Sequence, residues 1–343
     1  MSFLAVLFAL IIEQARPLAR GNWIHAGFRA LARWASRNLD AGQSHHGWIA
    51  WAVAVGLPSA VTLAVHFALW SVSPLLAFVW SVVILYITLG FRQFSHHFTD
   101  IRDALEDGDE DGAREQLASW QQVDARDLPR SEIIRHVIEY SVLAAHRHVF
   151  GVLGWFSILA AVGLGPAGAV MYRMSEFVGR YWLHKSKTLS AAGEGASPAL
   201  QHAAKKAWGV IDFVPARVTA LGFAVVGSFE DAIDAWRSYT QRATGPVADA
   251  AEAVVNRNDG IILAATSGAI NVRLGGQALH ATLDNVDAGG VMAAGGGADL
   301  LSPAMPGREP DVAHLRSVVG LVWRSVVLWM VLLALLTLAK LLG

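Results

Sequence analysis

Three charged residues, Glu132, Arg135 and Glu139, are spaced to lie on one face of a helix. Arg126 and Asp127 come shortly before them. One interpretation of this group of acids and cations is the remnant of a nucleotide- or substrate-binding site at a membrane surface. The alternative is an exposed helical face, held by pairs worth about 0.2–0.5 kcal/mol each. The spacing leaves both interpretations open.

Two further groups of charges occur in apolar surroundings. Asp212 and Arg217 interrupt an apolar run with Pro215 between them, and charges in such runs usually face a cavity or each other. They indicate either a ligand-facing kink or an ion pair. Arg273 precedes two glycines in the segment RLGG. It could present a cation to an anionic ligand beside freely shaped backbone, or belong to a turn that closes a helix.

The histidines and acids do not predict a metal site. Neither close histidine pair has the i, i+4 spacing of a helical zinc site, so we interpret these side chains as core or interfacial. The histidines concerned are His96, His97, His136, His146 and His148. The acidic run from Glu106 to Glu115 predicts a solvated helix-turn-helix. The chain has no cysteine, which excludes disulfides and thiolate ligands.

The elements that must position these residues are membrane helices. The 343 residues are 54% hydrophobic and 16% charged, with a mean hydropathy of +0.40. Ile49–Trp70 carries no charge over 22 residues, and such a helix would rise about 33 Å, enough for a hydrocarbon core of about 30 Å. We also predict spans at Leu75–Phe91 and Val318–Leu338, and a retained first helix at FLAVLFALII.

Basic residues predict the orientation of these spans. Arginines 16 to 37 follow the first helix with few acids nearby, which predicts a cytoplasmic loop in a multi-pass protein of a bacterial-type inner membrane. Phe150–Met171 is either a span that violates this charge rule or a re-entrant hairpin folded at its Gly/Pro cluster. Trp208–Ser228 raises the same question. The fold class is therefore all-α and polytopic, with four to six membrane segments, some of them re-entrant in one interpretation, and cytoplasmic helices.

Composition divides the chain into five parts. They are N-terminal membrane helices (1–92), a cytoplasmic helical region (93–149), a central core with embedded or re-entrant segments (150–280), a Gly/Pro-rich loop (281–315) and a C-terminal membrane helix (316–343). The net charge of −1 gives no indication of a nucleic-acid partner.

Five blocks carry a family pattern. They are Leu89–Trp120, Ala125–Asp127, EIIR with Glu139, DFVPARVTA (Asp212–Ala220) and Asn258–Gly276. In order and spacing these blocks resemble the CobD/CbiB family of cobalamin-biosynthesis membrane proteins.

The resemblance implies an ATP-dependent amide ligation. The family joins aminopropanol, as such or phosphorylated, to a propionate carboxyl of adenosylcobyric acid, and this chemistry would need Mg²⁺ to hold the nucleotide phosphates. The expected partners are the lipid bilayer, a corrinoid ligand and a second copy of the chain. No catalytic residue is assigned, and the ligand-binding candidates are Arg126, Asp127, Glu132, Arg135, Glu139, Asp212, Arg217, Asn258 and Arg273.

The chain departs from the family pattern at several polar positions. Leu143 and Ala144 replace a carboxylate and an amide, Arg147 replaces an aspartate, and Leu263 replaces a glutamate. Leucine cannot replace an oxygen ligand of Mg²⁺. A second branch of the superfamily, the AmpE membrane proteins linked to β-lactamase induction, resembles the chain at DFVPAR and shares the apolar stretch. A non-catalytic sensor or signalling protein is therefore the alternative function.

Overall fold

The structure of the protein is a computed structural model that describes residues 2–16, 23–121, 123–189, 196–242, 250–276 and 305–342. The part of the predicted Gly/Pro-rich loop from residue 281 to residue 304 lies outside these residues. The described residues are helical apart from turns, short loops and isolated bridges such as the parallel bridge between Val272 and Arg308. The predicted all-α class is confirmed.

The helices are numbered in chain order. They are α1 (Ser2–Ala15), α2 (Trp23–Asn38), α3 (Ser44–Trp51), α4 (Leu57–Val72), α5 (Pro74–Thr88), α6 (Phe91–Glu106), α7 (Glu110–Gln121), α8 (Arg130–Ala145), α9 (Gly151–Ala161), α10 (Ala167–Leu189), α11 (Pro198–Val226), α12 (Phe229–Arg242), α13 (Ala250–Ile270) and α14 (Val312–Leu342). Two π-helical segments, Ala52–Gly56 and His146–Phe150, connect α3 to α4 and α8 to α9.

Four helical stretches in the described residues are long and apolar enough to cross a bilayer. They are Ser44–Val72, Arg130–Ala161, Pro198–Val226 and Val312–Ala339, and the shorter helices α1 and α5 are apolar as well. Large apolar side chains on these stretches are exposed, including Val61, Trp70, Val331 and Leu336. Lipid is the environment that suits such surfaces, so a polytopic membrane protein is confirmed, within the range of four to six segments.

The predicted segment Phe150–Met171 is not one helix. The continuous helical stretch formed by α8, the π-helical segment and α9 ends at Ala161, and α10 starts at Ala167 after a tight reversal. Gly163 and Gly165 have φ angles of 84° and 57°, a conformation that favours glycine, and Pro166 suits the first turn of the next helix. The interpretation as a single straight span was wrong, because the Gly/Pro cluster folds the chain back on itself. Trp208–Ser228, in contrast, lies mostly within the continuous helix α11, which contains Pro215.

The chain divides into two compact units. The first comprises residues 1–91, 147–212 and 330–343. Within it, α1 packs on α5 with Phe8 and Phe78 edge to face at 6.2 Å, and the indole of Trp182 in α10 donates to the carbonyl of Ala32 in α2 at 3.1 Å. Helices α9 and α10 pack as an antiparallel pair. Their reversal lies against α4, where the ring of His66 contacts Gly165.

The second unit comprises residues 92–146 and 213–329. Helices α6 and α7 form the predicted helix-turn-helix, with the turn at Gly108 and its positive φ of 81°, and the ring of His97 stacks on Trp120 at 5.7 Å. Helices α12 and α13 pack against each other, and Tyr239 of α12 lies directly against Gly260 of α13. Helix α8 packs on both α7 and α13. This unit therefore holds the charged face of α8 beside the segment that follows α13.

Candidate functional site

The charged face of α8 forms a partly buried ion network. The Arg135 guanidinium donates to Glu132 at 2.6 Å and to Glu139 at 3.0 Å. Arg135 and Glu139 are only 3% and 5% exposed, while the Glu132 side chain is 39% exposed. His136 adds a contact of 3.5 Å to Glu139 and stacks on Tyr140. The exposed-face alternative therefore does not hold for Arg135 and Glu139.

The RLGG segment is tied to this network by its backbone. Helix α13 ends at Ile270, and the Gly275 N–H donates to Glu139 Oε1 at 2.7 Å. Gly275 and Gly276 have φ angles of 79° and 116°, which a residue with a side chain rarely adopts. Glu139 thus accepts from both a guanidinium and a backbone amide. The segment follows directly on the end of α13, and a role of Arg273 in binding an anion stays a prediction.

Arg273 lies at a cleft of about 630 Å³. Its backbone is fixed by the Arg273 N–H, which donates to Arg308 O at 2.7 Å, while its side chain is exposed. A second arginine, Arg242, comes from the last turn of α12. Among the described residues, those that line the cleft are Ser238, Gln241, Arg242, Arg273, Met305 and Pro306.

Arg217 and Asn258 are brought together from α11 and α13. Arg217 donates to Asn258 Oδ1 at 3.0 Å, and its guanidinium carbon lies 3.4 Å from the centroid of the Phe213 ring. Asn258 is buried. Arg217 therefore combines a cation–π contact with a hydrogen bond across two helices.

Asp212, in the other unit, has a different partner. The Tyr172 hydroxyl of α10 donates to Asp212 Oδ1 at 2.9 Å, and both residues are fully buried. Burial, together with the charge of Asp212, raises the pKa of Tyr172 well above its usual range. The hydroxyl therefore remains a donor at neutral pH, and Asp212 has a partner that no pattern in the sequence indicates.

Reasoning from the sequence missed a cluster in α10. Arg173 donates to Glu176 at 2.7 Å, and Arg180 pairs with the same carboxylate. Glu176 is buried. His25 of α2 lies nearby, and burial, followed by the charge of Arg173, lowers its pKa to about 4. The sequence does contain a pattern that indicates this cluster, because the three charges in α10 are spaced three and four positions apart, as in the network on α8.

Arg126 and Asp127 do not join the network on α8. Both side chains are exposed in the loop before α8. Arg126 donates to Asp124 at 2.7 Å, and these bonds lower the pKa of Asp124 to about 2. The structure therefore brings Glu132, Arg135 and Glu139 together. Arg126 and Asp127 lie apart from them in an exposed loop.

The described residues do not form a ready-made metal cage. No three of their histidine or acidic side chains converge. The two buried carboxylates with the richest surroundings, Glu139 and Glu176, each already accept from arginine. Hard cations need oxygen donors that are available to them, so no reaction step through Mg²⁺ follows from these residues.

Comparison with known proteins gives one consistent result. The family model described as CobD/Cbib protein matches residues 3–293. A protein named cobalamin biosynthesis protein CobD from Stutzerimonas stutzeri is 26% identical over 335 residues, which is 96% of each chain. A protein of the same name from Chromobacterium violaceum is 30% identical over 215 residues, covering 62% of this chain and 61% of that protein. No solved structure matches this chain.

Proposed function

Because the chain belongs to the CobD/CbiB family of cobalamin-biosynthesis membrane proteins, we propose that it attaches aminopropanol, or its phosphate, to adenosylcobyric acid. The observation that carries the proposal is the extent of the match. The family model matches residues 3–293 of this chain, and the similarity covers 96% of the Stutzerimonas stutzeri relative. The amide would form between the aminopropanol nitrogen and a propionate carboxyl of the corrinoid that ATP has first activated, so that the carboxyl oxygen leaves with the activating phosphate group and the amine nitrogen loses a proton.

The role of the described residues in this proposal is to bind and orient anionic substrates. Arg273 is an exposed cation on a backbone that is fixed through Arg308 and through the bond between Gly275 and Glu139. A guanidinium suits carboxylate and phosphate groups, because its donors form a planar fork. The ion network on α8 acts as the support that holds this turn.

The proposed location is a bacterial-type inner membrane, with the region around residues 92–129, which precedes the apolar stretch Arg130–Ala161, on the cytoplasmic side. The basic residues of α2, including Arg29, Arg33 and Arg37, support this orientation. The chain has no cysteine, so a single cysteine at exposed Arg126 can be labelled without background. An impermeant maleimide should label this variant in inverted vesicles and not in intact spheroplasts, and the reverse pattern contradicts the orientation.

The second candidate is a non-catalytic AmpE-like sensor or signalling protein. Two observations favour it. The carboxylates of Glu139 and Glu176 are already paired with arginines, and apolar Leu143 and Ala144 stand at positions where the family has polar groups. Such a protein would retain a ligand site and lose the ability to activate a carboxylate.

Complementation separates the two candidates. A strain that lacks its aminopropanol-attaching enzyme is transformed with this chain, and the Stutzerimonas stutzeri relative serves as the positive control. The proposal predicts restored cobamide synthesis, and substitution of Arg273 by glutamine should reduce it, while R237Q, on the exposed Arg237 of α12, should not. If the chain is present in the membrane fraction at the level of the control and cobamide synthesis is not restored, the enzymatic proposal fails.

Direct binding decides whether the alternative then holds. The protein, purified in detergent, is titrated separately with adenosylcobyric acid and with cell-wall fragments. A corrinoid as the sole ligand contradicts a cell-wall sensor. Light scattering of the same sample measures whether the protein is a homo-oligomer, as the proposal also expects.

A further inference from the structure

Helix α2 carries a row of arginines along one side. Arg29, Arg33 and Arg37 follow one another at intervals of four positions, which aligns them on a helix. Arg29 is half-buried, and Arg33 and Arg37 are exposed. From residue 16 to residue 39 the sequence contains five arginines and no acidic residue. The positive charge of this arginine row therefore does not depend on how any single member is paired.

The opposite side of α2 holds the row in this orientation. Ala32 and Ala35 are buried, and the indole of Trp182 in α10 donates to the Ala32 carbonyl at 3.1 Å. The arginine row lies close to Tyr181 of α10, because burial raises the pKa of this tyrosine while the charges of the three arginines oppose the rise. Packing on α10 thus turns the row away from the interior of the unit.

Helix α2 lies beside one end of a stretch that can cross a bilayer. It packs on α3 and on the π-helical segment Ala52–Gly56, which both belong to the 29-residue stretch Ser44–Val72. Such a stretch would rise about 43 Å, more than a hydrocarbon core of about 30 Å, so its ends reach the headgroups. Trp48 of α3 is 38% exposed and Trp34 of α2 is 50% exposed. Exposed tryptophans are typical of the membrane–water interface, which indicates the headgroup level for α2.

This combination of side chains suits one kind of partner. The planar fork of a guanidinium matches phosphate oxygens, and an indole at the interface contacts the apolar part of a lipid. A soluble acidic protein would also suit the arginines, but it would give no reason for exposed Trp34 at the level of Trp48.

We propose that Arg29, Arg33 and Trp34 form a surface that binds anionic phospholipid headgroups and selects them over zwitterionic ones. The surface lies on α2, away from every residue that was considered for the reaction. The inference therefore does not depend on amide formation, and a chain that fails in complementation leaves it intact.

The test places a fluorophore on this surface. The chain has no cysteine, so A26C, at an exposed position one turn before Arg29, is labelled at a single site with a nitrobenzoxadiazole group. The full chain is reconstituted into vesicles of phosphatidylcholine with a small fraction of phosphatidylglycerol. A nitroxide quencher is carried, at the same acyl-chain position, either by the phosphatidylglycerol or by an equal amount of the phosphatidylcholine. Both kinds of vesicle then have the same surface charge.

The control label is V72C, at the other end of the same stretch. Val72 is 74% exposed, and residues 49–91 carry no charge, so the two quenchers should act there equally. One arginine near an anionic surface contributes about 1 kcal/mol, which is about a 5-fold preference. At A26C we therefore expect phosphatidylglycerol to be enriched by roughly 5- to 30-fold relative to V72C.

Two results at A26C overturn the proposal without any further variant. Equal quenching by the two lipids contradicts the selection of anionic headgroups. Absence of quenching by either lipid, in vesicles where V72C is quenched, places α2 away from the bilayer and makes a soluble acidic partner the better occupant.

A pair of double variants tests the role of the arginines. R29Q/R33Q should lower the enrichment by about 5-fold for each arginine, whereas R29K/R33K keeps both charges and should retain most of it. Concentrated potassium chloride should weaken the enrichment in the unmodified chain, because exposed charges are screened. Thermal unfolding in dodecyl maltoside shows which variants remain folded, and R33Q alone, at the exposed position, replaces R29Q/R33Q if the double variant does not fold. Unchanged enrichment in the glutamine variant, or its loss in both double variants, overturns the proposal.

Discussion

Substitution of Glu139 by glutamine should destabilise the protein far more than the same change at Glu132. Both carboxylates accept from Arg135, at 3.0 Å and 2.6 Å. Glu139 is 5% exposed, while the Glu132 side chain is 39% exposed. In E139Q the buried Arg135 guanidinium keeps only the partly exposed Glu132 as its counter-charge, so the loss should lie near the lower end of the range of about 3–5 kcal/mol for breaking a buried pair. E132Q removes a partly exposed partner, for which a loss of about 1 kcal/mol is expected.

The bond from Gly275 separates two effects at Glu139. A glutamine oxygen can still accept from the Gly275 N–H, whose distance to Glu139 is 2.7 Å, but a leucine cannot. E139L should therefore lose a further 1–3 kcal/mol or so, because it leaves a buried donor unsatisfied. The double variant R135M/E139L removes both charges together and should recover a large part of the loss.

The measurement is reversible unfolding in detergent micelles, titrated with dodecyl sulfate and followed by tryptophan fluorescence, since the chain has 13 tryptophans. The expected order of stability, from highest to lowest, is unmodified chain, E132Q, E139Q and E139L. The reasoning is refuted if E132Q costs as much as E139Q. It is also refuted if R135M/E139L is no more stable than E139L, because the buried charge would then not be the cause.

Other parts of the fold give two more predictions. Y172F removes the donor to buried Asp212 and should lower the free energy of unfolding by about 1.5–3 kcal/mol, whereas Y181F, at a partly exposed residue of the same helix, should have a smaller effect in the same titration. The pKa of His25 in the folded state is about 4, below its ordinary value of 6.5, so the unfolded chain takes up the proton first, and stability should fall as the pH falls from 6.5 towards 4. Thermal unfolding across this range should show a flatter dependence in H25F, and identical profiles for H25F and the unmodified chain would contradict the assignment.

Much of the membrane organisation could be predicted from the sequence. The apolar runs at Ile49–Trp70 and Val318–Leu338 lie within the helices Ser44–Val72 and Val312–Ala339. These helices could be predicted because the length of a run with little or no charge reflects the thickness of a bilayer directly. The turn between α6 and α7 could be predicted from Gly108 for an equally local reason.

The partners of the buried charges could not be predicted in the same way. Glu139 and Gly275 are 136 positions apart, and no local pattern indicates that a turn after α13 returns to α8. Asp212 has a neighbour of opposite charge in sequence, Arg217, yet it accepts from Tyr172, 40 positions away. Contacts of this kind depend on how the helices pack against one another. The spacing of residues within one helix gives no information about that packing.

The π-helical segment Ala52–Gly56 has a consequence for the phase of the helix that contains it. Gly47 lies against the backbone of Ala199, and the ring of His66 lies against Gly165, so contacts before and after this segment both face the rest of the unit. In an uninterrupted α-helix, 19 positions at about 100° each would leave these residues about 100° apart. The wider turn of a π-segment absorbs one residue, which restores the alignment to about five whole turns. Deletion of one residue from this segment should therefore be tolerated far better than deletion elsewhere in the helix, because it leaves the two contact faces in phase.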